Sequence, residues 1–213
     1  MKINIIIDNQ NSWFFKKAKR LVTQIKKLGH RCVIYDTQAK IPKNSDISFF
    51  LSCEDYITKT TRAKSKFNIV VHASDLPNGK GMSPTTWQII EGKNKIPVTL
   101  FEVAEGFDSG NWYLKNSFTL DGHELVDEWQ EKLFLCIERM VLNFVKRSQK
   151  IKAHKQVGKS SVYKRRGPKD SELDINQSIK KQFNLLRVVD NEKYPAWFKY
   201  KGKKYVLKIY KQK

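Results

Sequence analysis

The chain has 213 residues, 40% of them hydrophobic and five of them tryptophan, which is enough to form a core and excludes a disordered chain. Its 41 lysines and arginines outnumber 21 acidic residues, so the formal charge is +20. A solvated lysine-rich surface, a polyanion-binding surface and an anionic small substrate are all consistent with this charge. The three cysteines lie far apart without a CxxC pair, so the sequence predicts no zinc site and no disulfide framework.

The N-terminal residues, MKINIIIDN, begin a strand pattern at once and contain no cleavage site, so we expect no signal peptide. No run approaches the ~18 apolar residues that cross a bilayer. We therefore predict a cytoplasmic protein without a membrane span, and a homodimer remains open as its assembly state.

The first half of the chain alternates between strand and helix patterns. Short apolar runs predict strands, and apolar residues at helical spacing predict a helix that Gly29 ends. Strand, helix and strand in this order form a βαβ unit, which implies a parallel sheet. The strands are predicted at Lys2–Asp8, Arg31–Tyr35, Ile47–Ser52, Phe67–His72 and Val98–Val103, and the helices at Phe14–Leu28 and Thr86–Glu91.

The second half begins with a long helical pattern over Glu124–Ser148 and continues with a basic, polar stretch over Lys150–Asp170. A further helix is predicted over Ile175–Leu186, with Asp174 as its N-cap, and a β-hairpin over Pro195–Lys211. These patterns divide the chain into an α/β domain over residues 1–149, a basic linker over 150–170 and a small helix–hairpin extension over 171–213.

Two polar residues stand at the ends of predicted strands. His72 closes the strand Phe67–His72, and Asp108 lies in the turn after Val98–Val103. Ligands collect at the carboxyl ends of parallel strands, so this histidine and aspartate are candidates for a proton-transfer pair. A surface histidine and an ordinary turn aspartate would give the same pattern.

The residues around this pair resemble the signature of the folate-dependent formyltransferase family. His72-Ala73-Ser74-Asp75-Leu76-Pro77, followed by Lys80-Gly81, Ser83-Pro84 and Trp87, is similar to the Asn-x-His-x-Ser-Leu-Leu-Pro segment of that family and its continuation. Pro97-Val98-Thr99 and Asp108-Ser109-Gly110 resemble its Gly-Val-Thr…Asp-x-Gly. Arg165-Arg166-Gly167-Pro168-Lys169-Asp170 resembles a segment of the members that act on sugars and on methionyl-tRNA. The match is good over about residues 47–115 and weaker over 160–210.

The resemblance implies a Rossmann-like fold and transfer of a formyl group from N10-formyltetrahydrofolate to an amine, without a metal. In the family, a histidine and an asparagine stabilise the oxyanion and an aspartate relays protons. His72 and Asp108 take two of these positions, but Val70 stands where the family has asparagine. The loss of one such donor typically costs about 10²–10³ in rate. Either another donor compensates, with Ser74 or a main-chain N–H as candidates, or the enzyme is slow, altered or non-catalytic. Asp75, where the family has leucine, is either a second charge beside His72 or a turn residue.

The resemblance also implies a folate pocket built mostly from main chain and apolar side chains. Its residues here are Tyr56, Ile57, Val103, Ala104, Glu105, Gly106, Phe107 and Asp108. Packing within a helix is the alternative for Tyr56 and Ile57.

The acceptor is expected to be a small amine, because only about 65 residues follow the long helix, the linker included. The Arg-Arg-x-Pro resemblance favours a nucleotide-linked amino sugar, as in the biosynthesis of surface glycans. The residues expected to bind this acceptor are Lys80, Trp87, Trp112, Arg165 and Arg166. The alternatives are a non-catalytic formyltransferase fold that binds RNA or another anion, and a methionyl-tRNA formyltransferase-like enzyme.

Overall fold

The computed structural model describes residues 1–212 and contains ten strands and five α-helices within them. The strands are β1 Lys2–Ile6, β2 Arg31–Tyr35, β3 Ser45–Phe50, β4 Ser65–His72, β5 Lys80–Gly81, β6 Lys95–Glu102, β7 Trp112–Thr119, β8 Val162–Tyr163, β9 Ala196–Tyr200 and β10 Lys203–Leu207. The helices are α1 Trp13–Lys27, α2 Lys59–Arg62, α3 Pro84–Ile90, α4 Val126–Arg147 and α5 Ile179–Leu186.

Six strands form one sheet in the order β2-β1-β3-β4-β6-β7. The pairs β1–β2, β1–β3 and β3–β4 are parallel, as predicted for a mostly parallel α/β sheet. The pairs β4–β6 and β6–β7 are antiparallel. The sequence pattern predicts extended structure only over residues 111–114 here, whereas β7 has eight residues. An edge strand with polar residues on one face lacks a continuous apolar pattern.

The core lies between the sheet and helices α1 and α4. β1 is buried on both faces, which explains its run of isoleucines. α1 begins at the N-cap Ser12, whose hydroxyl accepts from the Phe14 N–H, and the positive φ of Gly29 ends the turn after it. The apolar faces predicted for both helices are buried, and they comprise Phe14, Ala18, Leu21 and Ile25 on α1 and Leu133, Ile137, Val141, Phe144 and Val145 on α4.

The C-terminal residues form the predicted helix and hairpin around a small cluster of Leu173, Leu186, Val189 and Ala196. The helix begins four residues later than expected. Ser178 is its N-cap and accepts from the Lys181 N–H, whereas Asp174 closes a separate turn by accepting from the Asn176 N–H. Serine and aspartate both suit an N-cap, so the sequence alone does not tell whether the helix begins after Asp174 or after Ser178. The division at 149 and 170 remains a prediction.

Candidate functional site

His72 is the last residue of β4, and its side chain is only 10% exposed. Its Nε2 lies 2.9 Å from the Gly79 carbonyl oxygen and 3.9 Å from Asp108 Oδ2. A carbonyl only accepts, so the Gly79 hydrogen bond requires a proton on Nε2. The structure therefore brings together the two residues that the sequence pairs, with the histidine N–H facing both the carboxylate and a main-chain oxygen.

Asp108 reaches His72 by a path that the sequence did not predict. Because β6 runs antiparallel to β4, its carboxyl end lies at Ile69 rather than at His72. Residues 103–108 then fold back towards the carboxyl end of β4. Asp108 has a φ of +46°, in the left-handed region, and its Oδ2 accepts a 3.0 Å hydrogen bond from the Gly81 N–H.

A cavity of about 930 Å³ opens along the carboxyl ends of β1, β3 and β4. Its volume lies within the usual range for small-molecule sites. Most of the residues expected at the site line it, namely Tyr56, Ile57, His72, Val103, Ala104, Gly106, Phe107, Asp108, Arg165 and Arg166. Ser74, Lys80, Trp87, Glu105 and Trp112 do not.

The two segments expected to bind folate are tied to each other at one wall of the cavity. The Tyr56 hydroxyl donates to the Glu105 carbonyl at 3.1 Å, and Arg62 donates to the carbonyls of Ile57 at 3.0 Å and Ala104 at 3.5 Å. Tyr56 and Phe107 leave more than half of their side chains exposed. Exposed aromatic surface of this kind is available to a flat ligand.

Val70 lines the same cavity and packs in the apolar cluster of Ile6, Ile41 and Phe50, so it offers no hydrogen-bond donor. Asn68, two residues earlier on the same strand face, does not replace it. The Asn68 side chain donates to the carbonyls of Arg62 at 2.9 Å and Ser65 at 3.3 Å. Ser74 is 2% exposed, and its hydroxyl has no hydrogen-bond partner within residues 1–212.

Asp75 does not contact His72. Its side chain is 62% exposed and forms an ion pair with Lys115 at 2.5 Å. The structure thus agrees with the alternative that Asp75 is a turn residue on the surface.

Two of the residues expected to bind the acceptor, Trp87 and Trp112, have side chains engaged elsewhere, and Lys80 lies in β5 outside the cavity lining. The Lys80 N–H pairs with the Ser161 carbonyl, and Trp87 Nε1 donates to the Lys164 carbonyl at 2.8 Å. The Trp112 ring stacks on His154 at 4.3 Å between ring centroids.

The two arginines lie on the cavity wall in different states. Arg165 is exposed and pairs with Glu54 at 2.8 Å, and this hydrogen bond holds the pKa of the Glu54 carboxyl below its usual value. Arg166 donates to the Asp170 carbonyl at 3.0 Å and to Ser171 Oγ at 3.1 Å. Burial lowers the pKa of its guanidinium, which holds the local backbone together rather than facing outwards.

Sequence reasoning missed a large part of the cavity wall. The start of α1, one face of α4 and the turn before β9 contribute Asn9, Asn11, Trp13, Trp129, Gln130, Asp190 and Lys193. These residues are distant in sequence and belong to no motif, so only the fold reveals them. Gln156, in the predicted linker, donates to the Asp108 carbonyl at 2.9 Å and was also missed.

An open α/β sheet with polar groups over a cavity at the carboxyl ends of its parallel strands defines a ligand-binding or catalytic α/β domain. No protein-family model matches the chain. Two methionyl-tRNA formyltransferases are similar to it, from Thermodesulfovibrio yellowstonii (27% identical over 121 residues, 56% of this chain and 39% of that protein) and from Clostridium acetobutylicum (30% over 149 residues, 68% and 47%).

Solved structures share the fold. A methionyl-tRNA formyltransferase from Clostridium thermocellum superposes with a TM-score of 0.83 at 23% identity, covering 100% of this chain and 94% of that chain. WlaRD, a sugar 3N-formyltransferase solved with dTDP and 5-N-formyl-tetrahydrofolate, gives 0.68 at 19% identity over 88% and 78%. The chain belongs to the formyltransferase family. It spans less than half the length of the curated relatives that it matches.

Within residues 1–212, no helix is both long and apolar enough to cross a membrane. The same residues contain no group of three or more His, Cys, Asp or Glu side chains placed to hold a metal ion.

Proposed function

We propose that this protein transfers a formyl group from N10-formyltetrahydrofolate to the amine of a nucleotide-linked amino sugar. The observation that carries the proposal is the His72–Asp108 pair, 3.9 Å apart on a cavity of about 930 Å³. Both side chains are nearly buried, so a reacting group there is shielded from bulk water and interacts strongly with their charges and dipoles.

The residues present fit the folate donor. The wall formed by residues 53–57 and 103–107 combines main-chain groups with the partly exposed rings of Tyr56 and Phe107. A pterin needs main-chain hydrogen bonds at its edge and apolar or aromatic surface at its faces. This wall would therefore hold the ring system, and Asp108, which ends the second segment, would stand beside the formyl group.

The reaction requires one bond to form and one to break. The acceptor nitrogen attacks the formyl carbon, the bond from that carbon to N10 of the folate breaks, and the products are a formamide and tetrahydrofolate. The His72 Nε2–H, which the Gly79 carbonyl accepts in this structure, turns to the oxygen that gains negative charge. Asp108 takes the proton that leaves the amine, directly or through water, for delivery to N10.

An anionic acceptor fits the rim of the cavity. Arg165 is 60% exposed there, and Lys193 lines the cavity with its ammonium on the Asn11 carbonyl. Either cation can turn towards a diphosphate without leaving a buried charge unpaired. The sugar substrate of WlaRD is consistent with an acceptor of this class.

A second candidate acceptor is methionyl-tRNA, which the names of the curated relatives suggest. One surface feature favours it. Lys150, Lys152, Lys155 and Lys159 are exposed, and none of them pairs with a carboxylate within the described residues 1–212. Unpaired lysines on one segment are typical of surfaces that meet a phosphate backbone.

The deciding experiment supplies N10-formyltetrahydrofolate with either a panel of nucleotide-linked amino sugars or methionyl-tRNA, and follows tetrahydrofolate release by absorbance and the formamide by mass spectrometry. We expect turnover with one amino sugar. Turnover with methionyl-tRNA alone would mean that the acceptor is the tRNA and not an amino sugar. If neither acceptor reacts, calorimetric titration with 5-formyltetrahydrofolate distinguishes an untested sugar from a non-catalytic fold, which would give no heat of binding.

A further inference from the structure

Residues 151–167, here called the strap, pack along the rim of the site and do not form the free linker that the sequence suggested. It is anchored at one end by paired main-chain hydrogen bonds of 2.8 Å between Trp112 and His154. Further along, β8 pairs in parallel with β5, immediately after the loop that begins at His72. The strap therefore touches both chain segments that carry the candidate catalytic pair.

The side chain of Gln156, on the strap, forms two hydrogen bonds with the turn that contains Asp108. Its Nε2 donates to the carbonyl oxygens of Asp108 at 2.9 Å and Gly110 at 2.8 Å. One side-chain amide thus links two carbonyls of the turn from a distant part of the chain. Gly110 itself has no room for a side chain, because a Cβ there would lie 1.6 Å from the Glu102 carbonyl oxygen.

The turn needs this support because Asp108 has a left-handed backbone. A non-glycine residue at a φ of +46° is disfavoured by roughly 1–2 kcal/mol relative to the right-handed region. Without the bonds from Gln156, the turn could relax towards negative φ. That change would move Oδ2 away from the Gly81 N–H and from His72 Nε2.

Ser161 supports the histidine side of the pair. Its hydroxyl accepts from the Gly79 N–H at 2.9 Å, and its carbonyl accepts from the Lys80 N–H at 2.9 Å. The Gly79 carbonyl is the oxygen that receives the His72 Nε2–H. The strap thus fixes the main chain behind both members of the pair, although neither Gln156 nor Ser161 lines the cavity.

We propose that Gln156 is a positioning residue for the transfer reaction, which holds the Asp108 turn in its left-handed conformation and so aims the carboxylate at His72. Ser161 acts in the same way on the loop that holds His72. This inference rests on the proposed formyl transfer, because it assigns these side chains to the geometry of that site.

Gln156→Met tests the assignment, because methionine keeps the length of the side chain and removes the amide. We expect kcat to fall about 10- to 100-fold while the KM for folate changes less than about threefold, since a misplaced group costs rate rather than binding. Ser161→Ala should give a smaller loss of the same kind. Gln182→Met is the matched control, because Gln182 also bridges two carbonyls, of Asp174 and Gln177, and does not line the cavity. It should retain full kcat.

A second readout does not depend on turnover. The Gly81 N–H bonds to Asp108 Oδ2, so its hydrogen exchange reports whether the carboxylate stays in place. Gln156→Met should speed Gly81 exchange at least about tenfold with little change in global stability, whereas Gln182→Met should not. Unchanged Gly81 exchange in Gln156→Met would overturn the assignment, even if kcat falls. If the unsubstituted protein transfers no formyl group, that result contradicts the proposed function, and Gly81 exchange alone then decides whether Gln156 positions Asp108.

Discussion

At the scale of single residues, the site combines a retained pair with one altered position. His72 and Asp108 are present and adjacent, whereas Val70 contributes only apolar surface on the same strand. The neighbouring candidates for a donor are engaged or buried, since Asn68 bonds to main-chain carbonyls and Ser74 does not reach the cavity. In the proposed reaction, stabilisation of the oxyanion would therefore rest more heavily on His72 than in a site with asparagine at residue 70.

Replacement of the pair should stop the reaction without unfolding the protein. We expect His72→Asn to abolish formyl transfer, because the shorter amide cannot place an N–H where His72 Nε2 lies and cannot become a cation. We expect Asp108→Ala to nearly abolish transfer, because it removes the proton acceptor. Steady-state kinetics measures the loss, and circular dichroism checks the fold. Near-normal turnover in either variant would contradict the proposed mechanism.

Val70→Asn tests the altered position by restoring the residue type that the family has there, whereas the two previous variants remove a functional group. We expect transfer to stay unchanged or rise, because asparagine can add a donor on the cavity wall. A stability loss of about 1–2 kcal/mol should accompany it, since the amide enters an apolar cluster. Val70→Ala, which removes side-chain volume without adding a donor, is the control. A large loss of activity specific to Val70→Asn would mean that the site uses another geometry.

At the scale of elements, the end of β6 sets the geometry of the turn that carries Asp108. Glu102, the last residue of β6, accepts from the Asn68 N–H at 2.7 Å and from the Tyr113 hydroxyl at 3.1 Å. It thereby joins β4, β6 and β7 below that turn. Burial raises the pKa of the Glu102 carboxyl to about 7 and also raises the pKa of Tyr113.

This raised pKa predicts a pH-dependent stability. Glu102 binds its proton more tightly in the folded state than in the unfolded chain, so its contribution is favourable below about pH 4 and is lost as pH rises to about 7. Glu102→Gln should therefore match the parent near pH 4 and exceed it by up to about 2–3 kcal/mol at pH 8. Urea unfolding at both pH values measures this difference. The exposed Glu172→Gln is the control, and an equal gain there would contradict the role of burial.

At the scale of the whole molecule, a buried ion pair connects the C-terminal part to the α/β domain. Arg187 Nη2 lies 3.0 Å from Glu124 Oε2, with side-chain exposures of 1% and 2%. Arg187 Nε also donates to the Glu124 carbonyl, and its own carbonyl accepts from Trp129 Nε1. Burial would raise the pKa of Glu124, but hydrogen bonds from Lys132 and the main chain outweigh it and hold the pKa at about 2. Glu124 is therefore ionised at neutral pH.

Removal of this arginine should destabilise the protein strongly. Arg187→Met removes the guanidinium beside Glu124 Oε2, while the carboxylate keeps its ion pair with Lys132. We expect a loss of about 1.5–3 kcal/mol in the free energy of unfolding, as for a hydrogen bond to a charged group. Arg165→Met is the matched control, because its ion pair with Glu54 is exposed and should contribute about 1 kcal/mol or less. Chemical denaturation of both variants at neutral pH measures the two losses, and equal losses would contradict the role assigned to burial.

The site shows where sequence reasoning succeeded and where it failed. The pairing of His72 with Asp108 could be predicted because His72 closes a strand and both residues belong to a spaced motif. Gln156 and the wall formed by Asn9, Trp129 and Lys193 could not, because a side-chain contact across about 50 to 180 residues leaves no periodic signal. Lys80, Trp87 and Trp112 carry suitable chemistry but do not line the cavity. The Trp87 side chain is engaged by a hydrogen bond and the Trp112 ring by stacking on His154.

The amino-acid sequence by itself determined the parallel part of the sheet, the two core-facing helices, the C-terminal hairpin and the identity of the central pair. These features follow from local rules, since apolar period and turn residues act within a few positions of the chain. Only the tertiary structure decided that β6 runs antiparallel to β4, so that residues 103–108 must fold back to bring Asp108 to His72. It also decided that residues 151–167 cross the site, because strand direction and strap placement depend on long-range packing and main-chain pairing.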